Sequence, residues 1–128
     1  MAKVLGVGGV FFKSPDPVQL RAWYERWLGV PDRGFGMDFA PSSVPPGGYT
    51  VWSPFAADTR YFDPGGREFM INLMVDDLDG ALAQVRNGGA NVMDRREESE
   101  YGRFGWFLDP DGNKVELWQP PPPASGKE

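Results

Sequence analysis

The sequence predicts an α+β fold in which one unit, a strand, a helix and three further strands, is used twice. Three observations lead there. Seventeen Gly and thirteen Pro among 128 residues demand many turns, which suits an antiparallel sheet better than a helical bundle. Two helix patterns, each opened by Asp and closed by Gly, stand about 60 residues apart. Finally, Thr50-Val51-Trp52-Ser53-Pro54 lies over Glu116-Leu117-Trp118-Gln119-Pro120 when the halves are superposed. The spacing is longer than that of solenoid repeats, so a duplicated βαβββ module is the economical explanation.

Taken in order, Lys3 to Lys13 is apolar and rich in Val and Phe, as a buried strand would be. Asp16 is a good N-cap, and Pro17 suits the first helical position. Leu20, Trp23, Tyr24, Trp27 and Leu28 then fall on one helical stripe, ended by Gly29. That spacing alone accounts for Trp23 and Trp27 as helix-to-sheet core; the alternative is contact with a ligand. Val30 to Ala40 is expected to form two short strands about Gly34 and Gly36, and Pro41 to Gly48 a loop. Tyr49 to Phe55 reads as another strand, with Pro54 marking its end or an edge. Residues 56–66 contain Asp-Pro-Gly-Gly and form the connector between halves.

The second half repeats the pattern. Glu68 to Val75 is a mainly apolar strand. Asp76-Asp77 precede a helix bearing Leu78, Ala81, Leu82 and Val85, closed by Gly88-Gly89. Asn91 to Glu97 is a strand that becomes charged. Glu97, Glu98 and Glu100 beyond it are either a solvated loop or a rim for a cationic ligand. Tyr101 to Pro120 is a hairpin whose turn, Asp109-Pro110-Asp111-Gly112-Asn113, has the residues a tight turn needs. The modules are thus about 3–55 and about 67–120 within one domain, 1–120. The Pro-rich tail, 121–128, is expected to be extended and disordered.

Composition closes off several functions. There is no His and no Cys. That excludes Ser-His-Asp and Cys-His chemistry, the two-His-one-carboxylate iron site and any ordinary zinc site. Without Cys there is no disulfide framework, so a reducing cytoplasm is the expected compartment. The start of the chain lacks the pattern of a signal peptide, and no apolar run approaches the 18 or so residues of a membrane span. A net charge of −5 with scattered Lys and Arg argues against a nucleic-acid partner.

At this point the chain resembles the vicinal oxygen chelate superfamily, which includes glyoxalase I, the bleomycin-resistance proteins and the extradiol dioxygenases. The resemblance rests on Asp16 through Trp23-Tyr24 to Leu28-Gly29, on Val75-Asp76-Asp77-Leu78 and on Asp109 through Leu117, and it covers Lys3 to Pro120. It implies paired βαβββ modules forming an open, curved barrel with the helices outside and the ligand within. It also implies homodimers. Metal-dependent relatives draw four ligands from positions that here carry Gly9, Thr50, Met70 and Glu116. Only Glu116 is an ordinary ligand type, so the resemblance implies a metal-free member with no cofactor.

Alternation along strands places Phe11 with Gly9, Trp52 with Thr50, Asn72 and Met74 with Met70, and Trp118 with Glu116 on the cleft face. Arg103, Phe104 or Trp106 adds to it, with the register open. Aromatics, two Met and a few polar groups make a small-molecule pocket lining, although each aromatic alone is also explained by core filling. Glu116 either pairs with Arg103 or Lys114, or serves as a general base or an anchor for a ligand ammonium. The expected function is metal-independent binding of an aromatic or cationic small molecule. The alternatives are a lyase or isomerase using Glu116 as base, an unusual oxygen-ligand metal site, or a structural module whose cleft is filled by its own side chains.

Overall fold

The computed structural model describes residues 1–122. One four-stranded sheet and two α-helices make up its regular core. Helix α1 spans Pro17–Leu28 and α2 spans Leu78–Asn87; the strands are β1 (Ile71–Met74), β2 (Asn91–Ser99), β3 (Gly102–Leu108) and β4 (Lys114–Gln119). The sheet is mixed and open, in the order β1-β4-β3-β2. β1 runs parallel to β4, while β2–β3 and β3–β4 are antiparallel. No helix among the described residues is long and apolar enough to cross a membrane.

Both helices start where capping chemistry puts them. The Asp16 carboxylate accepts from the Gln19 N–H, and the Asp77 carboxylate from the Gly80 N–H. Leu78, Ala81, Leu82 and Val85 lie on one face of α2 and bury against Phe107, Val115 and Leu117 of the sheet. α1 lies on the same side of the sheet as α2. Its Trp23 ring meets Phe107 with centroids 6.0 Å apart, and the Trp23 indole N–H donates to the Gly88 carbonyl at 2.9 Å. A side chain at Gly88 would collide with the Trp27 ring, so this glycine lets the helices approach. Trp23 and Trp27 are therefore helix-packing residues.

The β3–β4 turn is a hydrogen-bonded knot that also anchors α1. Buried Asp109 accepts from the N–H groups of Asp111 and Asn113 and from the Asn113 side-chain amide, each at 2.9 Å. Its remaining capacity goes to the Tyr24 hydroxyl, also at 2.9 Å. Gly112 completes the turn with φ of 82°, a conformation open to glycine at little cost.

The first half departs from expectation. Residues 3–13, 30–40 and 49–55 form no strands; among the described residues, regular β-structure begins at Ile71. In place of two sheets curving into a barrel, the single chain has one open sheet from its second half. The physical reason is pairing. A strand needs a neighbour to take its backbone groups, and the backbone of residues 1–13 and 49–55 makes no hydrogen bond within the described chain. Val10, Phe11, Val51 and Trp52 are exposed as a result. Of the tail expected to be disordered, residues 123–128 lie outside the described residues.

Replacing Asp109 with Ala leaves the Tyr24 hydroxyl and three N–H groups without their acceptor. We expect a loss of about 2–3 kcal/mol in urea unfolding; a loss under about 0.5 kcal/mol would show that the turn does not anchor the helix.

Candidate functional site

The side of the sheet away from the helices carries the polar chemistry. Strand register sets Trp106 and Asn72 on either side of Glu116, and Phe104 and Met74 on either side of Trp118. Since successive side chains alternate, these residues share a face with Lys114. Arg103 does not join them. It lies on the helix side, where its guanidinium bonds Asp79 of α2 at 3.0 Å.

Glu116 is the centre of this face. Its side chain is buried, at 8% exposure, and both oxygens are occupied. Oε1 accepts from the Asn72 amide at 2.7 Å; Oε2 accepts from the Trp106 indole N–H at 2.9 Å and from the Tyr61 hydroxyl. Of the two readings of Glu116, the pairing with Arg103 or Lys114 is not what holds it; these three neutral donors do. Lys114 instead donates to the Tyr61 carbonyl at 2.6 Å, its ammonium 5.0 Å from the Tyr61 ring centre and 5.7 Å from that of Trp106. Desolvation pulls the Lys114 pKa down, and the nearby Glu116 charge partly restores it.

Tyr61 comes from the connector and was not singled out by sequence reasoning. Its ring stacks on Phe55 at 5.8 Å and 15°, and meets Trp106 edge-on at 6.3 Å. The available signal was aromatic density, Phe55 with Tyr61-Phe62, in a segment with no helical or strand period. Arg95 was also missed; its guanidinium lies 4.9 Å from the Trp106 ring centre. A cleft of about 70 Å³ opens beside Trp106 and Lys114, bounded by Asp63, Met93 and Arg95.

The other expected cleft residues are dispersed. Met74 and Trp118 lie farther along the same face, where Trp118 stacks on Phe104 at 6.2 Å and meets Tyr49 at 4.9 Å. Met70 is half-buried just before β1. Phe11 and Trp52 are 95% and 79% exposed on the unpaired segments, so the single chain does not bring them into a pocket. Glu97, Glu98 and Glu100 are exposed, and Glu97 pairs with Arg95 at 2.9 Å. A larger hollow, about 330 Å³, lies elsewhere, between α1 and the β3–β4 turn. It is an open furrow beside packing residues, and Glu116 is not part of it.

A divalent ion does not fit here. Among the described residues no three carboxylates converge on a point. Glu116 meets N–H and O–H donors where an ion would require further lone pairs.

Comparison with known proteins fixes the family. The model of the glyoxalase-like domain matches residues 9–118. The chain belongs to this family, within the vicinal oxygen chelate superfamily. A search of curated proteins returns no match. Among solved structures, this glyoxalase-like domain is similar to TnmS3, an antibiotic binding protein from Streptomyces sp. CB03234. Identity is 20%, the alignment covers 94% of this chain and 100% of that one, and the TM-score is 0.54. It is also similar to a glyoxalase/bleomycin resistance protein from the same organism, at 35% identity over 44% of this chain and 47% of that one, with a TM-score of 0.35. The first match shows a shared fold.

Burial, followed by the hydrogen bond and charge of Glu116, pushes the Tyr61 hydroxyl well above the ordinary tyrosine pKa near 10. The folded domain therefore holds this proton more tightly than the unfolded chain. Its contribution is intact below about pH 10 and is lost as pH rises beyond it. Tyr24 is raised too, by burial and then by Asp109. Tyr61→Phe should cost about 1–2 kcal/mol at neutral pH and should flatten the decline above about pH 10. An unchanged alkaline slope in urea titrations would show that Tyr61 does not carry it.

Proposed function

We propose that this glyoxalase-like domain is a metal-independent binding protein for a small aromatic molecule, held on the Glu116 face of the sheet. The observation that carries the proposal is the buried Glu116 carboxylate, flanked by the Tyr61 and Trp106 rings and held by three donors. Apolar walls around a few fixed polar groups are how small-molecule sites are built. Oε2 already accepts two protein donors and Oε1 one, which commits most of the carboxylate's acceptor capacity to holding the site and favours binding over general-base work. Arg95 and Lys114 beside Trp106 favour an aromatic over a cationic ligand. The Streptomyces relative described as antibiotic-binding is a precedent on the same fold.

The same proposal accounts for the unpaired first half. Residues 3–13 and 49–55 carry β-forming side chains without partners, and β1 and β2 each leave one edge of the sheet open. In a homodimer, a second copy supplies pairing for these segments and walls off the cleft. Phe11 and Trp52 then reach a ligand, and the two-module barrel, with modules of about 3–55 and about 67–120, is completed.

A panel of planar aromatic compounds tests the binding. A ligand at 100 times its Kd should stabilise the protein by about 2.7 kcal/mol and change Trp fluorescence, and Glu116→Gln should weaken binding by about tenfold or more. No thermal or fluorescence response across the panel would end the proposal. Separately, sedimentation equilibrium at micromolar protein should give twice the chain mass of 14.2 kDa. A monomer there would sink the dimer.

A further inference from the structure

We propose that the seat occupied by the Tyr61 ring is a recognition site for a neutral hydroxyaryl group, which Tyr61 fills as an internal stand-in until a ligand displaces it. The proposal rests on the Glu116 face being the ligand cleft, and it names the chemical class that cleft accepts.

Four contacts define the seat. The phenol O–H donates to Glu116 Oε2. Trp106 meets the ring at 88°, edge to face, and Phe55 covers one face at 5.8 Å. The Lys114 ammonium lies 5.0 Å from the ring centre. All four involve the side chain of Tyr61 and not its backbone, so a free phenol can make each of them. They are also mutually consistent as recognition. A carboxylate selects a donor, aromatic surfaces select a flat ring, and the ammonium is attracted to the ring's electron-rich face.

The stand-in is also removable. Tyr61 lies among turns, in neither a helix nor a strand, and is half-buried where Trp106 is fully buried. Apart from its stacking contacts, Tyr61 is held to the sheet by two hydrogen bonds, O–H to Glu116 and Lys114 to the Tyr61 carbonyl. The cleft bounded by Asp63, Met93 and Arg95 adjoins the seat and has room for part of a second ring. The hydroxyl must arrive neutral. Burial beside Glu116 pushes a phenol's pKa up, and a phenolate would face the carboxylate with no proton between them.

Chemical complementation tests the seat. In Tyr61→Ala, phenol replaces the deleted ring, and a saturable rise in Tm is expected. Benzene, which lacks the hydroxyl, should give little, and Tyr61→Ala/Glu116→Gln should not respond to phenol. An equal response to benzene, or no response to phenol, overturns the proposal. Should Tyr61→Ala fail to fold, Tyr61→Phe decides. It keeps the ring but releases Glu116, so it should bind 2-naphthol about tenfold more tightly than the unmodified chain, because the ligand no longer displaces a phenol from the carboxylate. Equal affinities, or no binding to either protein, overturn it. If the unmodified protein binds planar compounds lacking a hydroxyl and Tyr61→Phe binds them with the same affinity, the small-molecule function stands and the hydroxyaryl site falls.

Discussion

The arrangement of this domain depends on one constraint, the burial of the Glu116 carboxylate. A carboxylate out of water must be given donors, because the cost of leaving it bare exceeds the worth of any single contact around it. The three donors come from three separate parts of the chain: Tyr61 from the connector, Asn72 from the edge strand β1, and Trp106 from β3. Meeting that demand fixes the connector against the sheet, holds the parallel edge strand to β4, and orients a Trp across the cleft. Since β4 also carries Val115 and Leu117 into the helix-side core, one strand couples the apolar core on one face to the polar site on the other.

Much of this was legible in the sequence, for reasons that can be named. Asp16 and Asp77 announce helix starts because a short carboxylate at that position meets a free N–H two or three residues on. Gly112 announces the turn because few other residues tolerate its backbone angle. Strand alternation sets Glu116 and Trp118 against Val115 and Leu117. The face of Arg103 was not legible, because Phe104, Gly105, Trp106 and Phe107 are apolar or small on both faces and show no alternation. Tyr61 was invisible for a different reason. Its place depends on how a turn-rich connector closes over the sheet, and no periodicity reports loop closure.

The first half shows where propensity alone stops. Val4, Val7, Val10 and Val51 have the branched side chains that pleated surfaces favour, yet β-structure is a property of pairs of segments, and among the described residues the pairs are missing. The same residues that read as buried strand are exposed apolar surface here. Exposed aromatic and branched residues this numerous are seldom left facing water in a soluble domain. Sequence patterning and exposure together are what support the proposed second copy as their neighbour. The strands expected there are not formed, because propensity supplies side chains suited to a sheet and not the partner segment.

The network around Glu116 also differs in kind from a metal site. An ion is held by converging lone pairs, whereas this site offers converging protons to a single acceptor. The two designs exclude each other at the same position, because Trp106 and Asn72 cannot aim N–H groups at a point that also holds a cation. The three donors are not equally fixed. Trp106 is fixed by its strand and by burial, and Asn72 by the β1–β4 register. Tyr61 hangs from a run of turns with no regular structure, so of the three donors it is the one the proposed ligand would displace at least cost.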